Sequence, residues 1–192
     1  MIFLSASVPC KGREYYGTEN VFAIREAIIA FTTICVQYGI RFYFGGHPAI
    51  TPLVWQVATQ TSGGKTPLID IYQSQFFGNQ IPKEVANFDN VHFTPAVDNS
   101  IKESVDSMRE TMFSENETDC AVFIGGMQGV IDEYEMLKSK YPKAEYYAFA
   151  STGGAAVDLY ENIGKDIPIL TDSYAYMSIF KTLLLPFKSI SI

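Results

Sequence analysis

Short runs of mostly apolar residues alternate along this chain with longer stretches in which apolar positions recur every three or four residues. The short runs fall at residues 2–4, 41–44, 67–72, 91–94, 120–124 and 146–150. Runs that are apolar at successive positions are what strands covered on both faces require. Between them, residues 20–38, 52–61, 99–113, 129–140 and 155–163 read as helices. Asn20 is placed to cap the first helix, and Gly39 to end it in the left-handed conformation. Gly63 and Gly64 stop the second, Asn99 or Ser100 caps the third, and Pro142 breaks the fourth. Residues 73–90 read as irregular, with one short helical piece near Lys83, and residues 167–170 as a short edge strand. From Ser173 onwards the tail reads as a helix that is apolar on most of its surface. Strands alternating with helices from end to end predict an α/β fold: a Rossmann-like parallel sheet with helices on both faces, in a single domain over residues 1–192. An apolar tail helix must enter the core or meet another subunit, so a homo-oligomer is expected.

Charge narrows the partners. Fourteen basic against 21 acidic residues give a formal charge of −7, and no run of Lys or Arg offsets it locally. Nucleic-acid polymers and anionic membranes are therefore not expected partners. A small anionic ligand still fits, because backbone N–H groups hold phosphate without side-chain charge. Cys10, Cys35 and Cys120 stand far apart, against a disulfide framework or a zinc site. His47 and His92 are equally distant, so no metal and no cofactor are expected. The opening MIFLSASVP lacks a basic n-region and an h-region, and the apolar stretch 177–187 is short and interrupted by Lys181 and Pro186. A cytoplasmic location is the expectation.

In an open parallel sheet, ligands bind beyond the carboxyl ends of the strands. Four glycine- or serine-rich segments leave such ends here: Ser5 to Ser7, Gly45-Gly46-His47, Gly125-Gly126-Met127-Gln128-Gly129, and Ser151-Thr152-Gly153-Gly154. Glycine allows close backbone approach, and the helix that follows offers free N–H groups to an anion. Tight βα turns need glycine too, so the repetition after several strands carries more than any one pair. Neither GxxxxGK[ST] nor GxGxxG occurs. Asp132, Glu133 and Glu135 follow the third loop. Acids favour helix starts through the dipole; Glu133 is also placed to reach back over the loop to a ribose hydroxyl or a water. His47 is a candidate contact to phosphate or base, whereas His92 reads as structural.

FLSAS at 3–7, FGGHPAITP at 44–52, VFIGGMQGVIDEY at 122–134 and STGGAA at 151–156 together resemble the SLOG superfamily. That superfamily joins the DNA-processing Smf/DprA proteins and the lonely-guy phosphoribohydrolases. The resemblance covers nearly the whole chain. It is closest to SLOG domains of bacterial conflict (antiphage) systems, some of which accompany NAD-cleaving domains and sense cyclic ADP-ribose-type signals. It implies a Rossmann-like nucleotide-binding domain whose site includes Ser5, Ser7, Gly45, Gly46, His47, Gly125, Gly126, Met127, Gly129, Glu133, Thr152, Gly153 and Gly154. Against the lonely-guy PGGxGTxxE motif, Ile124 replaces proline, one extra residue precedes Gly129, and Val130 replaces threonine. Two functions remain open, beside a purely structural subunit with a vestigial pocket. The first is binding of a nucleotide or NAD-derived, ADP-ribose-like signal, passed to a separately encoded effector. The second is hydrolysis of an N-glycosidic bond in a nucleoside phosphate. In that case Glu133 is catalytic with Asp132, and Arg25 is a candidate helper.

Overall fold

The structure, a computed structural model, describes residues 1–188; the last four residues of the expected tail helix lie outside the described residues. Six strands form one parallel sheet among the described residues: β1 (Ile2–Ser7), β2 (Phe42–Gly45), β3 (Ile69–Ser74), β4 (Asn90–Thr94), β5 (Cys120–Gly125) and β6 (Glu145–Phe149), in the order β4-β3-β2-β1-β5-β6. The helices are α1 (Val21–Tyr38), α2 (Thr51–Ser62), α3 (Ile101–Glu115), α4 (Gln128–Lys140), α5 (Ala155–Ile163), α6 (Ile169–Asp172) and α7 (Tyr176–Leu184).

Alternation along each strand divides the core in two. Ile2 and Leu4 face α1, α2 and α7 with Phe42, Phe44, Ile69 and Ile71. Phe3 points the other way, to α3, α4 and α5, with Tyr43, Tyr72, Ala121 and Phe123. Both faces are buried, which is why the strand sequences show little polar alternation. Asn20 accepts the Ala23 N–H at 3.0 Å, and Gly39 ends α1 at φ +70°. α1 is apolar and long enough to cross a membrane by length and composition, but half of it is buried inside this fold.

The structure departs from the sequence pattern at several points. β1 runs on through Ser7, so Ser5 and Ser7 belong to the strand and not to a loop after it. Residues 73–90 contain two 3-10 helices, Gln75–Gln80 and Lys83–Asn87. β6 ends at Phe149, and Ala150–Thr152 turns as a 3-10 helix. The edge strand expected at 167–170 is the helical turn α6: Pro168 has φ −56° and ψ −31°, the dihedrals of a first helical turn. α7 buries Tyr176, Ile179, Phe180 and Leu184, so the apolar face of the tail is taken up within the chain, while Tyr174 and Met177 stay exposed.

Candidate functional site

The strand order reverses beside β1. The chain moves outward through β2, β3 and β4, then returns to place β5 on the other side of β1. Ser7 of β1 stands opposite Gly125 of β5 at that reversal. Open parallel sheets take ligands beside such a reversal.

Glu133 occupies it. From the second turn of α4 its side chain reaches back to β1, where the Ser5 hydroxyl donates to one carboxylate oxygen at 2.5 Å. Arg109, from α3, donates its Nε–H to the other at 3.2 Å, and a terminal guanidinium nitrogen donates to the Gly129 carbonyl at 3.0 Å. Only 9% of the Arg109 side chain and 15% of Glu133 is exposed, so both charges are largely withdrawn from water. Asp106 and Asp132 also approach the guanidinium, at 3.5 and 3.6 Å. Burial pushes the Glu133 carboxyl above its usual range, against the opposing pull of Arg109 and Ser5. Arg109 thus holds and orients Glu133, and its own donors are already shared among three carboxylates.

The glycine loops support this reversal largely through their own backbone. Gly126 donates its N–H to the Ser7 carbonyl at 2.9 Å, and Gly125 donates to the Thr152 hydroxyl at 2.8 Å. Thr152 is buried and donates its own hydroxyl to the Phe149 carbonyl. At Gly126, φ is +93° and a Cβ would stand 2.3 Å from Val130. At Gly154, φ is +63° and a Cβ would stand 2.8 Å from the Gly126 carbonyl, so the two loops meet backbone to backbone. Gly153 bridges Glu19 in the connection between β1 and α1, and the Tyr15 hydroxyl pins that connection to Asp158 of α5 at 2.7 Å. No side chain caps α4 after Met127, so first-turn N–H groups remain at its start, whereas α5 begins buried, with the Ala155 N–H donated to the Gly126 carbonyl at 3.0 Å.

The predicted residues therefore fall into three groups. Ser5, Ser7, Gly125, Gly126, Met127, Gly129 and Glu133 come together at the reversal. Thr152, Gly153 and Gly154 abut it from the β6 side, with Thr152 committed to the Gly125 backbone. Gly45, Gly46 and His47 stand at the end of β2, where Gly46 lies against Gln73 of β3. Asp132 is at the rim, accepting from Gln128 at 3.0 Å. Arg25 is outside the cluster, on exposed α1 surface paired with Glu26. Sequence reasoning missed Arg109. Its signal was a charged residue on the buried stripe of α3, beside Met108, Met112 and Phe113. A concavity of ≈ 810 Å³ lies at the opposite end of the sheet, lined by Thr118, Lys140, Tyr141 and Phe187 among others, and includes none of the predicted site residues.

Six parallel strands with an order reversal flanked by glycine turns define a Rossmann-like α/β protein. The chain belongs to the SLOG cluster3 family, which residues 14–184 match. A search of curated proteins finds no match.

Proposed function

We propose that this chain binds a nucleotide or an NAD-derived, ADP-ribose-like ligand at the β1–β5 reversal, and acts as a sensor whose occupancy is read by a separately encoded effector. The observation that carries this reading is the Glu133 carboxylate, withdrawn from water and fixed by Ser5 and Arg109 where the strand order reverses. A carboxylate so held has lone pairs left to accept a pair of ribose hydroxyls. The start of α4 suits a phosphate, through free N–H groups and the helix dipole.

A second reading, hydrolysis of an N-glycosidic bond, is favoured by the surplus of carboxylate charge around Arg109. Negative charge there stabilises the oxocarbenium-like cation of such a reaction. Thermal melting with AMP, ADP, NAD and ADP-ribose, followed by product analysis, tests both. At a hundred times Kd a ligand adds about 2.7 kcal/mol, so a rise of roughly 5–10 °C is expected for one of them, with the ligand recovered intact. Release of free base assigns the second reading. No rise and no released base with any of the four contradicts both.

A further inference from the structure

The two edges of the sheet differ in what guards them. At the β6 edge, Lys165, just past α5, lies over the Tyr147 ring at 5.3 Å and pairs with Glu145. Charged side chains so placed blunt an edge against pairing with another chain. At the β4 edge, residues 90–94 read Asn-Val-His-Phe-Thr, with no Asp, Glu, Lys, Arg or Pro among them. Among the described residues β4 pairs with β3 alone, so one row of its N–H and C=O groups faces outward. Phe93 is 51% exposed there, and Val91, on the same face of the strand, is half-buried.

The order of these residues selects what covers them. In an antiparallel pair of β4 strands centred on His92, Val91 stands opposite the partner's Phe93, and Phe93 opposite the partner's Val91. One two-fold axis thus makes the same apolar contact twice, as an isologous interface requires. An aromatic ring against a β-branched side chain is a favourable cross-strand pair. His92, at the centre, leaves the edge clear: its ring stacks on Tyr72 at 4.4 Å and bonds Asp70 at 3.0 Å, both on its own β3. Charge points the same way. Two copies of a chain with formal charge −7 repel, and β4 lets them meet along a strand without acidic residues, whereas β6 begins with Glu145. The apolar tail that led to the expectation of an oligomer is packed largely on α1, which leaves β4 as the better face for one.

We infer that the chain forms a two-fold dimer in which β4 pairs antiparallel with the β4 of a second copy, joining two six-stranded sheets into one continuous sheet. The pairing satisfies the outward row of backbone groups and covers Phe93. β3 and β2 separate β4 from β1, so the interface is apart from Ser5 and Glu133 and stands or falls independently of the function proposed above.

Sedimentation at micromolar concentration, with two variants, tests it. Wild type should sediment as a dimer whose population rises with concentration. Phe93→Lys removes both apolar contacts and guards the edge with a charge, so it should weaken the dimer at least roughly tenfold. His92→Cys is made in a Cys10→Ser background, which removes the exposed thiol. It puts two cysteines directly opposite each other, with Cα atoms about 4.5–5.5 Å apart, within disulfide reach. Mild oxidation should then give a covalent dimer. Circular dichroism establishes that the variants fold, and if one does not, the other carries the test. A monomeric wild type overturns the inference. So does a folded Phe93→Lys variant that dimerises as tightly as wild type, or a folded His92→Cys variant that stays uncrosslinked.

Discussion

Glu133 is pulled in two directions. Burial raises its pKa, Arg109 and Ser5 lower it, and burial prevails. A carboxyl whose folded pKa exceeds its unfolded value contributes stability that is fully present below about pH 4.5 and is lost as pH rises through the folded value. The ionised form is thus less favoured in the fold than in the unfolded chain, even with its partners in place. Glu133→Gln should melt no lower than wild type at pH 7, and the advantage should shrink towards pH 4. Thermal melts across pH 4–8 check this. A variant that melts several degrees lower at pH 7 would mean that the Arg109 pairing outweighs burial. His47 has the opposite sense: its pKa falls to about 4, so its contribution is lost as pH drops from about 6.5 through 4. The Glu133 comparison must therefore be made between variants at each pH and not along one protein's curve.

At the scale of elements, the helices with side-chain caps or terminal glycines were legible. Asn20 and Gly39 bound α1, Gly63 ends α2, and Ser100 caps α3. Residues 167–170 were not legible, because four mixed residues carry neither a helical nor a strand period, and Pro168 suits a helix start as well as an edge. The tail had two outcomes consistent with its pattern, and only three-dimensional packing chooses between them. α7 lies on α1 and β6, with the Phe180 ring 4.5 Å from Phe149 and 5.5 Å from Phe31, centre to centre. Phe180 is fully buried, so Phe180→Ala should remove about 3–5 kcal/mol. Urea denaturation measures this, and a loss under 1 kcal/mol would mean that α7 is only loosely attached to the core.

For the molecule as a whole, the alternation of strands and helices made the parallel sheet readable, and the glycine turns marked which strand ends to watch. What sequence could not give was the strand order, and hence the meeting of Ser5, Arg109 and Glu133 from β1, α3 and α4. Those three residues are separated by 104 and 24 positions, and no local pattern links them. Nor could sequence tell a glycine that faces a ligand from one that admits another loop, as Gly154 admits Gly126. The central claim is that the Ser5–Glu133–Arg109 cluster receives the ribose of a bound nucleotide. Calorimetric titration of the best nucleotide from the thermal screen into wild type, Glu133→Gln and Ser5→Ala tests it most directly. Wild type is expected to bind, and each variant to lose about 1–3 kcal/mol, a factor of roughly 5–150 in Kd. Undiminished affinity in both folded variants would place the ligand elsewhere and contradict the account.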